Sequence, residues 1–313
     1  MSERPSERLV DSGAWAGAQP RLSVLIPFFR DDPARLLEAL FAQAAGLSGG
    51  VELVVLNDGS GDAGLDARTA ALIAAASAPA RYVSLAANAG RSVGRNRLAA
   101  HARGGHLLFL DSDMLPDSPE FLARWLDEAD AGTPVAFGGF SLKQASEARE
   151  FALHRASAAR SDCAGAELRA LQPEKYVFTS NLLVRRDVFE AERFDGGFSG
   201  WGWEDVEWGL RVGRRWPVAH VDNPATHLGL DTAERLLGKA EQSAGNFARV
   251  LAAHGERVRA YPSYRAARHM RRLPMRPLLR RALRAFVAAD ALPAKPRAFG
   301  LRLYRAALYA EVL

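Results

Sequence analysis

Short apolar runs alternate with helical stretches through the first third of this chain, and that alternation leaves few folds open. Leu22–Pro27 reads as a strand, and Asp31–Ala45 follows as a helix with Leu36, Leu37, Leu40 and Phe41 at helical spacing. Val51–Leu56 repeats the strand, ends in Asn57-Asp58-Gly59-Ser60 and leads into an alanine-rich helix over Leu65–Ala78. Arg81–Leu85, Val93–Ala102 and His106–Leu110 add strand, helix and strand. The pattern predicts an α/β fold with a mostly parallel sheet covered by helices on both faces. Ligands of such sheets bind beyond the carboxyl ends of the strands, which is where Asp58, Asp111 and Asp113 fall.

Beyond Pro116 the pattern changes to mixed α+β. Glu120–Ala131 reads as a helix, Val135–Leu142 as a strand, Ser146–Arg160 as helical and Lys175–Val184 as another strand. A short helix begins at Asp187, and a second runs over Trp203–Arg214, with Gly200 and Gly202 permitting a sharp entry. Asp231–His254 is an amphipathic helix, after which five prolines divide the remaining chain into pieces. With 313 residues, 48% of them hydrophobic, the chain can bury one large core or two modest ones. No stretch has the roughly 18 uncharged apolar residues of a membrane span, and residues 1–19 lack the features of a signal peptide. Residues 1–20 are therefore expected to be a flexible tail on a cytoplasmic protein. The single cysteine, Cys163, excludes an internal disulfide, and no Cys/His cluster has zinc-site spacing.

Charge is distributed unevenly. From Gly255 to Leu313 there are 14 Lys and Arg against 3 acids. Within this region Leu279, Leu283, Phe286 and Val287 recur at helical spacing, while Arg276, Arg280, Arg281 and Arg284 fall mostly on the other side. Such a basic amphipathic helix suits packing on the main domain, a partner protein or the inner face of an anionic membrane. Nucleic acid is not expected, because no recognition motif or basic-aromatic interleaving accompanies the charge.

The segment Phe198–Arg211 sets Glu204 and Asp205 among Trp201, Trp203, Trp208 and three glycines. A carboxylate beside indoles can act as a general base while an aromatic face stacks on a sugar; the same tryptophans also suit a core. The five stretches Ser23–Pro27, Leu56–Ser60, Asn88–Gly90 with Gly94–Asn96, Phe109–Asp113 and Gly202–Glu207 occur in the order seen in family 2 glycosyltransferases of the GT-A fold. Each is weak alone, and their order and spacing carry the resemblance, which covers about residues 21–230. The Trp201–Asp205 stretch further resembles the acceptor motif of galactosyltransferases and chondroitin polymerases.

The resemblance implies a metal-dependent inverting transferase that moves a sugar from a nucleotide sugar, favouring UDP, to a saccharide or lipid-linked acceptor. Residues 21–115 would bind the nucleotide and 116–230 the acceptor, with 231–313 as a helical, basic extension. Loss of a diphosphate calls for Mn2+ or Mg2+, and such an ion takes hard oxygen ligands. Asp111 and Asp113, two apart at a strand end, can point to the same side; by resemblance Asp113 is the metal ligand, with Asp111 reaching metal or ribose. Asp58 would contact the nucleotide base, although Asn57 replaces a usual acid beside it, and Pro27 would lend its backbone to that pocket. Arg91 and Arg95 lie near a helix start that can face phosphates. Thr179, Ser180 and Asn181 would line the donor pocket. Asp205 would be the base and Glu204 would hold a sugar hydroxyl, with Trp201 or Trp203 as the stacking wall. His227 would complete the metal site, with His220 as competitor.

Three rivals remain at this stage. A retaining transferase differs in the anomeric configuration of its product, a nucleotidyltransferase needs a glycine-rich basic loop that Phe28–Asp32 lacks, and a carbohydrate-binding module would bind saccharide without nucleotide.

Overall fold

The structure is a computed structural model that describes residues 7–159 and 161–313. In chain order its strands are β1 (Glu7–Asp11), β2 (Leu22–Phe28), β3 (Val51–Asn57), β4 (Ala80–Leu85), β5 (His106–Leu110), β6 (Met114–Pro116), β7 (Val135–Phe137), β8 (Phe140–Ser141), β9 (Asn181–Arg185), β10 (Val218–His220) and β11 (Ala225–His227). The helices are α1 (Ala34–Ala44), α2 (Ala63–Ala74), α3 (Arg91–His101), α4 (Phe121–Asp130), α5 (Ala152–Ala158), α6 (Ala166–Ala170), α7 (Arg186–Ala191), α8 (Glu204–Val212), α9 (Ala233–Val258), α10 (Pro262–Met270), α11 (Arg276–Ala288) and α12 (Ala294–Tyr309).

The main sheet has the order β1-β4-β3-β2-β5-β9-β7-β10. Strands β4, β3, β2 and β5 are mutually parallel, as the alternation predicts. Strand β3 is buried along its whole length because both sheet faces are covered, and its one internal polar side chain, Glu52, is paired with Ser23 and Arg103. On one face Val24, Ile26 and Leu53 pack with α1, α2 and α4. On the other Leu25, Val54 and Leu56 pack with Leu98 of α3, Val188 of α7 and Trp208 of α8.

Strand β9 runs antiparallel between β5 and β7. That direction has a functional consequence: Leu110, the last residue of β5, pairs with Asn181, the first of β9. The loop before β9 is thereby held beside Asp111.

Three expectations are corrected. The strand expected over Val135–Leu142 breaks at Gly138 and Gly139. A Cβ on Gly138 would lie 2.5 Å from Asn181 Nδ2, and Gly139 has φ +95°. The chain bends there, and β8 joins a second sheet of order β6-β11-β8. The strand expected over Lys175–Val184 begins only at Asn181, because Pro173–Tyr176 form a 3-10 turn. The expected flexible tail is ordered from Glu7 onward, and residues 1–6 lie outside the described residues, as does Arg160 at the end of the expected helix over Ser146–Arg160. Strand β1 pairs antiparallel with β4, and Trp15 is buried with Arg103 and Arg81 over its ring. Backbone pairing and cation–π contact hold this segment, so it shows little apolar periodicity.

The last four helices share a separate core with α5 and α8, in which Leu237, Phe247, Val250, Leu301 and Tyr309 meet Leu153 and Leu210. Phe247 and Tyr309 stack with centroids 4.3 Å apart. Helix α11 buries Val287 and half-buries Leu279 and Leu283, while Phe286 stays partly exposed. Among the described residues no helix is long and apolar enough to cross a membrane.

Candidate active site

Helix α8 starts from strained backbone. Gly200 and Gly202 have φ of +71° and +91°, and Trp203 between them and the helix has φ +76°, a left-handed conformation uncommon for a large side chain. Such strain persists only where surrounding contacts enforce it. Here the Trp203 indole N–H donates to Tyr309 Oη at 2.8 Å, the ring packs 5.0 Å from Phe247, and Asn246 Nδ2 donates to the carbonyls of Ser199 and Gly202. The turn places Glu204 and Asp205 in the first turn of α8, where the helix dipole favours negative charge.

Asp205 is held by the segment just before β9. The Thr179 backbone N–H donates to one carboxylate oxygen at 3.2 Å and the Thr179 hydroxyl to the other at 3.0 Å. Burial pushes the Asp205 carboxyl up to about 7, and the adjacent Glu204 charge adds to the rise, while Arg95 opposes it. Arg95, buried on α3, donates to Asp111 Oδ1 at 2.7 Å. Burial disfavours its charge, but Asp111, Asp205 and Glu204 together hold its pKa above the ordinary value. Arg91, half exposed, reaches Glu204 at 3.4 Å. The two arginines therefore bind Asp111, just after β5, and the acids at the start of α8 into one cluster.

Asp113 lies opposite this cluster. Its Oδ2 is 3.1 Å from His227 Nε2. Burial pushes the Asp113 carboxyl up, yet the His227 hydrogen bond and charge, with Lys239, bring it below its ordinary value. Burial acts downward on His227, and Asp113 reverses it to a net rise. Gly229 makes room for the pair, since a Cβ there would lie 2.0 Å from Asp113 Oδ2. Among the described residues no group of three His, Cys, Asp or Glu converges on one point. A carboxylate and an imidazole still fit a divalent ion of the kind that draws its other ligands from substrate phosphates and water. His220, the expected competitor, is instead tied between Arg169 Nε and the Pro173 carbonyl.

The acids of the cluster, Arg91, Arg95, Asp113 and His227 line a cavity of about 410 Å³, together with Ser180, Trp201 and Trp203. Of the expected site residues, Asn181, Pro27, Asp58 and Thr179 lie outside it, as does His220. Asn181 is fully buried, and its amide donates to the carbonyls of Gly139 and Asn223, so it is a strut that ties the strand break to β9. Pro27 is half-buried within β2. Asp58 accepts from Asn88 Nδ2 and the backbone N–H groups of Ala89 and Gly90, so its carboxylate shapes the turn that begins α3. Trp203 lines the cavity while its N–H is used on Tyr309, which leaves Trp201 as the more available indole. Glu207 and Trp208 are buried against the protein, with Glu207 accepting from Arg211.

Sequence reading did not single out Lys239, Tyr261 and Arg305 of the C-terminal helices, which line the same cavity, nor His154, whose Nδ1 accepts the Asp231 backbone N–H. Burial, then the charge of His227, pushes the His154 imidazole down to about 4, in accord with its acceptor role. The only signal available was their position on amphipathic segments, which does not reveal what those segments face.

An α/β sheet with acids at its strand ends and an arginine-braced carboxylate pair defines a nucleotide-sugar type of enzyme architecture, and comparison with known proteins agrees. The sequence model described as "Glycosyl transferase family 2" matches residues 23–192, and the chain belongs to that family. It is a glycosyltransferase with a GT-A fold. The matched span ends before Glu204, Asp205 and His227. Among solved structures, the mannosyltransferase PcManGT from Pyrobaculum calidifontis, in complex with GDP-Man and Mn2+, is 16% identical with a TM-score of 0.57, covering 99% of this chain and 90% of that one. Residues 1–349 of S. aureus TarS are 15% identical with a TM-score of 0.54, covering 93% and 90%. Glucosyl-3-phosphoglycerate synthase from Mycobacterium tuberculosis, in complex with phosphoglyceric acid, is 20% identical with a TM-score of 0.51, covering 78% and 82%. No curated protein matches the chain.

Proposed function

We propose that the enzyme is a metal-dependent inverting transferase in which Asp205 is the general base. The observation that carries this reading is the Asp205 carboxylate itself: oriented by two Thr179 donors, facing a cavity, and pushed up to about 7. A base is most effective when its pKa lies near the working pH. Asp205 takes the proton of an acceptor hydroxyl as that oxygen bonds to the anomeric carbon and the bond to the diphosphate breaks. Glu204, held by Arg91, positions a sugar hydroxyl, and Trp201 supplies the stacking face.

Asp113 and His227 would hold Mn2+ or Mg2+, which offsets the negative charge growing on the leaving diphosphate. Asp111 stays braced by Arg95 and would be available to the ribose or would help hold the metal. Asp58 acts through the turn 88–90, and with Pro27 marks the end of the sheet where the nucleotide base would lie. In this division residues 21–115 bind the donor and 116–230 most of the acceptor. The donor is proposed to be a UDP-sugar. In a thermal-shift screen of UDP, GDP and dTDP with and without Mn2+, UDP with Mn2+ should stabilise most. No stabilisation by any nucleotide with metal would reject the reading, and a preference for GDP would change the donor alone.

The pH dependence follows from the raised Asp205 carboxyl. Below about pH 7 the base is protonated and inactive, so kcat should rise with pH and level off above it. Glu204→Gln removes the neighbouring negative charge and should move this limb to lower pH. A limb that stays in place in that variant would separate it from Asp205.

Peripheral contact with an anionic membrane is proposed for the surface between α10 and α11. Leu273, Met275 and Leu278 are exposed there among the exposed Arg271, Arg272, Arg276 and Arg281. Apolar side chains ringed by cations are suited to the cytoplasmic face of such a membrane. The protein should sediment with phosphatidylcholine vesicles only when they contain phosphatidylglycerol, and Met275→Glu should weaken that binding. Equal sedimentation with both vesicle types would overturn this part.

A further inference from the structure

Two cations of the C-terminal helices converge on Trp201. Lys239 Nζ lies 5.8 Å from its ring centroid and Arg305 Cζ 5.7 Å. All three side chains line the cavity that holds Asp205. Lys239 is already paired with Asp231. Arg305 differs: among the described residues its guanidinium has no ion-pair partner, and its buried Nε has no hydrogen-bond partner. Asp162, which lines the same cavity, forms no ion pair with it among the described residues.

A buried arginine donor without an acceptor is a costly arrangement, and native structures seldom keep one without a reason. The covalently attached guanidinium can offer two parallel N–H donors to a carboxylate or phosphate. Beside it, the Trp201 face suits the C–H surface of a pyranose, so anion and ring would be recognised by adjacent groups. Tyr309, the hydrogen-bond partner of Trp203, lies one turn along α12 from Arg305, so the helix that supports the strained start of α8 also carries the cation.

We propose that the acceptor is an acidic saccharide, and that Arg305 reads its carboxylate or phosphate beside Trp201. This deepens the reading of the cavity as an acceptor site and rests on it. The extension over residues 231–313 is thereby part of acceptor selection.

The test uses three disaccharides that differ in one group: cellobiouronic acid, cellobiose 6′-phosphate and neutral cellobiose. Each is titrated calorimetrically into the full-length protein with UDP and Mn2+ present. At least one acidic sugar should bind about tenfold or more tightly than cellobiose, the factor expected when a charge-assisted pair is added. The arm that gains shows whether the anion is a carboxylate or a phosphate. Arg305→Gln should remove this preference, Arg305→Lys should retain part of it, and UDP binding should be unchanged in both. If neither acidic sugar exceeds cellobiose, or if Arg305→Gln keeps the preference, the inference is wrong. Loss of UDP binding in Arg305→Gln would also overturn it, by showing a structural role. UDP binding without acid preference rejects this inference alone, whereas acid preference without UDP binding rejects the donor reading alone.

Discussion

Replacing Asp205 with Asn is expected to lower kcat for sugar transfer by about 10²–10⁴-fold, the range a positioned base contributes. Nucleotide binding should survive. The amide keeps the shape of the carboxylate and one oxygen that can accept from Thr179, but it has no basic form. Misfolding can be separated from lost chemistry by pH. Burial raises Asp205, so the folded state retains a proton that the unfolded chain releases, and stability falls as pH climbs from the ordinary carboxylate range toward about 7. The Asn variant escapes that loss and should melt no lower than wild type at pH 8. An active Asp205→Asn enzyme would remove the base from this site.

Asp113→Ala should fail at an earlier step. Without its carboxylate, the affinity for UDP in Mn2+ should drop by more than about tenfold, or ~1.4 kcal/mol, toward the value measured with chelator. Titration calorimetry with and without metal reads this directly. Gly229→Ala provides an independent check, because its new Cβ would meet Asp113 Oδ2 at 2.0 Å and must displace it. That variant keeps every proposed ligand yet should lose the same metal-dependent part of binding. Wild-type affinity in Asp113→Ala with Mn2+ would place the metal elsewhere. Equal loss of nucleotide binding in Asp113→Ala and Asp205→Asn would overturn the division between donor and acceptor residues.

The parallel part of the sheet was legible because β2, β3, β4 and β5 are largely covered on both faces, which makes their runs mostly apolar, broken at residues such as Ser23, Glu52, Arg81 and Ser84. Helices α1 and α4 carried equally local signals, with Leu36, Leu37 and Leu40 or Phe121, Leu122 and Trp125 on one buried side. Strand β1 was not legible, because its residues are mostly exposed and its pairing with β4 depends on the backbone. The break at Gly138 and Gly139 was hidden for a related reason. The apolar pattern continues through the glycines, and only the approach of Asn181 and Arg169 from distant segments shows why no side chain fits.

At the site, the acids Asp111, Asp113, Glu204 and Asp205 stood out in the sequence, and all four line one cavity. Three of their partners were singled out as well, but the residues alone did not show which acid each would meet. Thr179 on Asp205, Arg95 on Asp111 and His227 on Asp113 are pairings across 26, 16 and 114 positions. Asn181 and Asp58 stood out as candidate ligands for substrate, and only the fold shows that the Asn181 amide N–H groups and the Asp58 carboxylate also bond within the protein.

By itself the sequence determined the layered α/β architecture, the order of the acidic motifs and their placement at strand ends, because periodicity and strand direction are local properties of the chain. The tertiary structure decided which acid is buried, which histidine meets Asp113, and that Lys239 and Arg305 share a cavity with Asp205. Those outcomes depend on distances between segments far apart in sequence, and on the electric field and desolvation that arise only when the segments pack together.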